Sequence, residues 1–527
     1  MIITFWIWLL LFLTKLSYSS HEPIDKDSAK NCKYLDETHL ENFFKAIDYR
    51  KDFFIERLAQ AVDIPSVSSQ SESQGDLLYM LEWAGDILKN LGFSWQIKIP
   101  TLSNNSKYRS SLKYPFLFGH LPIAQKIREQ TLNKSKTLLI YGHVDVVAAK
   151  YSDGWEQSDP FVLERKNGFL KGRGTTDDKG PVVAWLNALS VLKEELGNDC
   201  FPPLNIKIFL ETGEEIGSPG LRKILSNEAT FFNDIDYLVV TDNSWLTNHK
   251  PCLTYGLRGM VYFSLEIKGP FNQDLHSGIY GGPVDEPLQE SVYLLASLVD
   301  KDGKILIPEI YDDVLPLEEP ENASYSSIQF NDKNPGAYYV ASKNEVLAKK
   351  WRWPSLSIHG VEGSVSQKGD VKTVIPHRIL SKFSIRLVPD QDPERVKALV
   401  RTYLEELHAN WTMGKEDTNT MTLESLHEGI QAWYNPNPQN NPVFIIAEKA
   451  VKRVYGLKPD YTREGGTIPA VVYLSQAVPS PTNVILLPIG TADDGAHSQN
   501  EKISEQHFMN GTKLMLAYIY ELSLTQY

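Results

Sequence analysis

Hydrophobic spacing divides the chain into stretches of different texture. Residues 40–62 and 76–91 repeat apolar positions at helical intervals, the second running up to Gly92, and both predict helices. Residues 103–111 are Ser/Asn-rich and read as a surface loop. At 137–147 (TLLIYGHVDVV) the pattern becomes a nearly continuous apolar run with β-branched residues, as in a strand buried on both faces. Residues 181–196 carry Val182, Leu186, Leu189 and Leu196 on one side, predicting a helix with Pro181 at its first position. Two more strands are predicted at 205–211 and 236–241, with a short helix from Leu221 between them. Alternating strands and helices predict an α/β layer with a largely parallel sheet flanked by helices.

Past Cys252 the pattern alternates. Residues 258–268 and 381–387 switch between apolar and polar, as half-solvated antiparallel strands do, and 393–408 is helical in period. This predicts an inserted α+β domain with an antiparallel sheet. Near Pro442 the chain returns to helix, strand (483–487) and a final helix (511–522). The expected partition is a signal peptide at 1–20, a catalytic domain from 31–253 and 432–527, and the inserted domain at 254–431.

Composition narrows the function. The 527 residues are 42% hydrophobic and 23% charged, an ordinary globular balance with material for more than one core. A formal net charge of -13 argues against nucleic acid or an anionic membrane surface as a partner. The apolar stretch 2–13 is short for a bilayer span, and Ser17, Ser19 and Ser20 follow it. This fits a signal peptide, although no Lys or Arg precedes the apolar run; an uncleaved anchor is the alternative. Asn104, Asn133, Asn322, Asn410 and Asn510 each begin an Asn-X-Ser/Thr triplet. The expectation is a secreted, glycosylated protein with no stable membrane insertion after cleavage. Cys32, Cys200 and Cys252 are too few for a disulfide scaffold and form no CxxC pair; one bridge plus a free thiol is possible, with the pairing open.

Five short segments concentrate metal-ligand residue types at strand ends or in Gly-rich loops, where open α/β sheets place their sites. They are GHVDV with His143 and Asp145, GRGTTDDKGP with Asp177 and Asp178, ETGEEIGSPG with Glu214 and Glu215, TDNSW with Asp242, and GTADDGAHSQNEK with His497. Singly each has a bland reading: a core histidine satisfied by a neighbouring carboxylate, or a solvated acidic turn. Jointly the bland readings weaken, because Asp177, Glu214, Glu215 and Asp242 repel one another unless a cation neutralises them. Imidazole with carboxylate suits Zn²⁺ or Mn²⁺, and two such ions form a clamp for a hydrolytic water. Two residues apart in a strand, Asp145 faces the same way as His143 and can fix its tautomer.

These segments, with AVDIPSVSS, DLHSGIYGG, FSIRLVP and REGGTIP, occur in the order found in a known family. The chain resembles the dinuclear zinc peptidases related to acetylornithine deacetylase and carboxypeptidase G, within them the carnosine dipeptidase and cytosolic non-specific dipeptidase branch. The resemblance runs through nearly the whole chain after the leader. It implies a dipeptidase with two divalent ions, zinc or manganese, per subunit. His143 and Asp242 would hold one ion, Glu215 and His497 the other, and Asp177 would bridge them. Glu214 would be the general base and Asp145 the support of His143. His276 of DLHSGIYGG would reach the other subunit of a homodimer and stabilise the oxyanion there. Arg386 would bind the substrate carboxylate, with Thr373 and His427 contributing. Gly465, Gly466 and Thr467 would line the pocket with backbone N–H groups free for substrate.

Three features depart from the family's pattern. Asp178 stands where some members have Asn, which adds a negative charge beside the bridge. His377 stands near positions that commonly carry Arg or Lys. Residues 410–422 match nothing in the family's pattern. An N-acyl amino acid amidohydrolase, or an exopeptidase for longer peptides, is a competing reading that REGGTIP and FSIRLVP disfavour. A catalytically inactive binding protein is another, but none of the six expected metal and base positions is missing.

Overall fold

The computed structural model describes residues 37–100, 113–130, 135–330, 342–363, 372–426, 428–480 and 483–525. The expected leader, Cys32, the loop at 103–111, the triplets at Asn104 and Asn133, and His427 lie outside the described residues. Nine strands form the main sheet. Its backbone order is Ser94–Lys98, Phe116–Leu121, Asn205–Glu211, Thr137–His143, Tyr237–Val240, Val484–Leu486, Cys252–Leu257 and Trp433–Tyr434, with Asp460–Glu464 also paired to Cys252–Leu257. The centre is parallel: Thr137 pairs with Asn205 and His143 with Glu211, and Leu138 pairs with Tyr237 on the other side. The edge strand Ser94–Lys98 and its neighbour are antiparallel.

The unbroken apolar run at 137–143 follows from double-sided burial. Leu138 and Ile140 pack in one core cluster, Leu139 and Tyr141 in another on the opposite face. The first cluster contains the helices Glu37–Tyr49, Lys51–Val62, Gln74–Leu91, Lys179–Cys200, Pro442–Tyr455 and Glu505–Leu524; the second contains Leu221–Asn227 and Pro469–Ala477. Fourteen of the twenty residues of Glu505–Leu524 are buried, so it is an interior helix. Each fully buried large aliphatic there contributes about 1.5–3 kcal/mol by leaving water.

Several expected boundaries move. The single helix expected at 40–62 is two, separated at Arg50. Gln74–Leu91 ends where expected, with Gly92 in the left-handed conformation at φ 98°. Strand Thr137–His143 stops before Val147, because Val144 and Val146 turn their N–H groups to Glu211 and Ser66 carbonyls. Helix Lys179–Cys200 begins two residues before Pro181.

A second sheet is antiparallel, in the order Ser355–Glu362, Arg378–Leu387, Gly259–Lys268, Thr420–Ser425. Val261, Phe263, Leu265 and Ile267 meet Phe383, Ile385 and Leu387 on one face, under helices Pro287–Ala296 and Pro393–Thr412. The unmatched stretch 410–422 supplies the end of that last helix and the start of the strand that aligns Thr420 with Lys268. The α/β architecture and the antiparallel sheet thus agree with the sequence reading. A separate ribbon pairs Leu275–His276 with Val374–Ile375. Cys200 is disulfide-bonded and Cys252 is buried and free. No helix among the described residues is long and apolar enough to cross a membrane.

Candidate metal centre

The site forms where the parallel strands end. His143 closes its strand and is fully buried. Gly142 before it has no room for a side chain: a Cβ there would lie 2.5 Å from Val182 and 2.9 Å from Asp178. Its absence lets the start of helix Lys179–Cys200 press onto the strand, which brings the Asp177 loop beside His143.

His143 Nε2 lies 3.0 Å from Asp177 Oδ1 and 3.6 Å from Asp242 Oδ1. On the other side, His497 Nε2 lies 3.0 Å from Asp177 Oδ2 and 2.9 Å from Glu215 Oε2. Two three-residue groups therefore share Asp177: His143, Asp177 and Asp242 in one, Asp177, Glu215 and His497 in the other. Within each group the ligand atoms lie within 4.8 Å of one another. All five residues expected as ligands converge.

The electrostatics are those of crowded anions. Desolvation opposes the charged form of Asp177, yet the hydrogen bonds of His143 and His497 hold its carboxyl below the usual carboxylate range. Burial pushes Asp242 up, and burial followed by Asp177 pushes Glu215 up. Asp177 and Glu215 raise His497 to about 11. For His143, burial disfavours the cation, but Asp242, Asp145 and Asp177 outweigh it and raise the imidazole well above its ordinary value. Asp242 Oδ2 is buried with no hydrogen-bond partner. An orphaned carboxylate oxygen among imidazole nitrogens is what a divalent cation of the Zn²⁺ or Mn²⁺ type requires. The donor set fits.

Around the ligands, Asp145 does more than the sequence suggested. His143 Nδ1 lies 3.1 Å from the Asp145 backbone carbonyl and 3.5 Å from its Oδ1. The same carboxylate accepts the N–H groups of Glu214 and Glu215, each at 3.2 Å. Asp145 therefore ties the His143 strand end to the Glu214–Glu215 turn. Desolvation, reinforced by Asp242 and Glu215, raises Glu214 well above the ordinary carboxyl value. A proton-accepting carboxyl with that shift is suited to general-base work. Asp178, the extra charge expected from the sequence, is buried; its Oδ2 accepts the His143 N–H at 3.2 Å, and burial raises its pKa well above normal.

Sequence reasoning missed Glu501, which is fully buried. Its Oε1 accepts the N–H groups of Thr176 at 3.0 Å and Asp177 at 3.2 Å; its Oε2 accepts Gly174 N–H at 3.0 Å and Arg173 Nη1 at 2.8 Å. Lys179 was missed too: its buried Nζ donates to the carbonyls of Ala61 at 2.8 Å and Ile64 at 2.6 Å. Both lie inside quoted motifs, but their roles rest on contacts with distant parts of the chain that no local pattern marks.

The expected substrate residues divide. Glu214, Glu215, His497, Arg386 and Thr467 line one cavity of about 630 Å³. Arg386 Nη1 donates to Thr467 Oγ1 at 2.7 Å, and Thr467 in turn donates to the Arg258 carbonyl at 2.7 Å. The N–H groups of Gly465 and Gly466 are not free as expected. The Glu464 carboxylate takes them at 2.6 and 3.3 Å, because a tight turn folds that side chain back on its own backbone. His276 and Thr373 stand apart from the cavity, on and beside the small ribbon, where Ser277 N–H donates to Thr373 O and exposed His276 accepts from Gly278 N–H. His377 is engaged by Asp274 at 2.7 Å.

Residues 139–521 match Peptidase family M20/M25/M40. Beta-Ala-His dipeptidase of Mus musculus is 40% identical over 494 residues, 92% of this chain and 96% of the relative. Cys-Gly metallodipeptidase DUG1 of Saccharomyces cerevisiae is 40% identical over 489 residues, 91% of this chain and 97% of the relative. The crystal structure of human carnosine dipeptidase 1 superimposes with a TM-score of 0.79 at 37% identity, over 92% of this chain and 98% of that one.

These relatives correct one expectation. Secretion was read from the first residues and the Asn-X-Ser/Thr triplets. The Cys-Gly metallodipeptidases of three yeasts, cytosolic enzymes, match over nine tenths of the chain, and the apolar start and the triplets do not carry secretion against that match.

Proposed function

The chain belongs to peptidase family M20/M25/M40, and from that premise we propose that it is a two-metal dipeptidase acting on dipeptides with a free C-terminal carboxylate. The observation that carries the reading is the pair of ligand groups sharing Asp177, of which Glu215 and His497 line the same cavity as Arg386. His143 and Asp242 would hold one ion, Glu215 and His497 the other, with Asp177 contributing to both. Zn²⁺ or Mn²⁺ bound there would supply a nucleophilic water at neutral pH and polarise the scissile carbonyl.

The side chains do the rest. Glu214 accepts a proton as water attacks the peptide carbon, and returns it to the departing amine nitrogen. Asp145 holds His143 and the Glu214 turn in register. Arg386, oriented by Thr467, clamps the substrate carboxylate with a planar guanidinium suited to a two-point contact. Residues 254–431 act as lid and dimerisation domain on the catalytic parts 31–253 and 432–527. His276 and Thr373, placed together on a ribbon remote from their own cavity, serve the partner subunit of a homodimer, His276 as an oxyanion donor. By the resemblance alone, His427 is a further substrate-binding residue. The relatives' names point to β-Ala-His and Cys-Gly as the substrates to try first.

The test is hydrolysis of β-Ala-His, Cys-Gly and a tripeptide by protein stripped with a chelator and resupplied with Zn²⁺ or Mn²⁺. Metal-restored cleavage of a dipeptide is the expected result, and the ranking names substrate and metal. Folded protein that cleaves neither dipeptide with either ion overturns the reading in favour of an amidohydrolase or a binding role.

A further inference from the structure

The cavity that holds Glu214 and Arg386 has a wall the mechanism does not use. Arg222 opens helix Leu221–Asn227, directly after the turn that carries Glu214 and Glu215. Glu428 follows strand Thr420–Ser425 of the antiparallel sheet. Arg222 Nη1 donates to Glu428 Oε2 at 2.6 Å, and the guanidinium lies 4.8 Å above the ring of Tyr473 on helix Pro469–Ala477. All three side chains line the cavity. Arg222 and Tyr473 also line a second, outer groove of about 320 Å³, with Leu225, Ala229 and Ala477 along it. The side chains of Arg222 and Glu428 are 59% and 73% exposed, so the pair sits where the cavity meets solvent.

We propose that the Arg222–Glu428 pair, seated on Tyr473, is the partition that limits substrate length. It closes the cavity against peptide extending beyond a dipeptide, and the outer groove is the space a third residue would enter if the partition opened. An exposed ion pair adds little to stability, so its consequence here is steric and electrostatic. Arg222 comes from a helix packed on the main sheet and Glu428 from the segment that follows a strand of the antiparallel sheet, and the two meet across the mouth. The Glu428 end is held in place: Lys397 Nζ donates to the Glu428 carbonyl, and the next residue, Gly429, has φ 88° with Pro393 2.8 Å from where a Cβ would be. The backbone is thus fixed at the Glu428 end, and at the other end the Arg222 guanidinium rests on the Tyr473 ring.

The inference rests on the dipeptidase reading, and the experiment separates the two. Holoenzyme in the metal that supports activity is assayed on Ala-Ala and on Ala-Ala-Ala as wild type, Arg222→Ala, Glu428→Ala and the charge-exchanged double variant Arg222→Glu/Glu428→Arg. Each single variant is expected to raise the tripeptide-to-dipeptide ratio of kcat/KM about tenfold or more, the scale on which pocket contacts discriminate. The double variant is expected to return it toward the wild-type ratio. Wild-type protein that cleaves none of Ala-Ala, β-Ala-His and Cys-Gly in either ion overturns the underlying reading together with this one, and one that cleaves another of these dipeptides but not Ala-Ala is assayed on that dipeptide and its one-residue extension instead. Wild-type activity with a ratio unmoved in both singles, or moved and not returned by the exchange, overturns the partition alone.

Discussion

The backbone N–H of Asp177, the carboxylate both ligand groups share, is held by Glu501, whose other oxygen is bound to Arg173. Glu501 thus shapes the loop without entering the cluster. Arg173 is 3% exposed and Glu501 fully buried, so removing one partner strands a charge. Glu501→Ala is expected to lower stability by about 3–5 kcal/mol. Glu501→Gln keeps one acceptor oxygen, turns the other into an NH2 donor and loses the charge, and is expected to cost about 10–100-fold in metal affinity. Denaturant melts and metal content after dialysis check both. Full metal retention in the Ala variant would refute a positioning role.

Arg386 predicts a split between binding and turnover. Replacing it with Met removes charged hydrogen bonds of about 1.5–3 kcal/mol, and the expected result is a KM raised about tenfold to a hundredfold with a smaller change in kcat. Lys restores the charge without the fork and is expected to rescue poorly. The comparison that decides is a dipeptide against its C-terminal amide: wild type and variant should converge on the amide. An equal loss on both substrates sinks the carboxylate clamp.

Glu505 begins the final helix and binds Arg165 through both oxygens at 2.9 Å, with Lys51 at 2.6 Å. Arg165, opposed by some desolvation and aided by Lys51, lowers its pKa to about 2. A folded-state pKa below the unfolded value of about 4.3 means the stabilisation is complete above that value. It is lost as pH falls through the folded value. Glu505→Gln is therefore expected to melt below wild type at pH 7, with the gap closing between about pH 4.5 and pH 2. Melting temperatures of both proteins across that window are the measurement; a gap that stays constant to the acid end refutes the assignment.

If His276 serves the neighbouring subunit, two inactive proteins should repair one another. His276→Ala and Glu214→Ala, unfolded together and refolded as a mixture, are expected to regain about a quarter of wild-type activity, since half the dimers of a symmetric pair are mixed and each has one intact site. A mixture no more active than its parents argues that each site is built from one chain.

Legibility from sequence followed the range of the interactions. Strand Asn205–Glu211 was readable to the residue, because burial on both faces leaves an apolar signature in the strand itself. The same signature misled at Val144 and Val146, which are buried yet outside the ladder: periodicity reports burial, and hydrogen bonding decides where a strand ends. The five ligands were readable because each sits in a short motif. Glu501 and Arg173 were not, since what makes them matter is a contact between distant parts of the chain that no local pattern encodes. The engagement of Gly465 and Gly466 by Glu464 was local and legible in principle: a carboxylate just before two glycines is a ready acceptor for their N–H groups.

His497 is the last of the five ligands along the chain, and it belongs to the segment that packs back through helix Glu505–Leu524 onto the helices at the start of the described fold. Synthesis therefore delivers the acidic half of the cluster long before its closing imidazole. The shared arrangement around Asp177 is complete only once the C-terminal segment has folded home, so on the proposed reading a chain ending before His497 would lack one of its five candidate ligands.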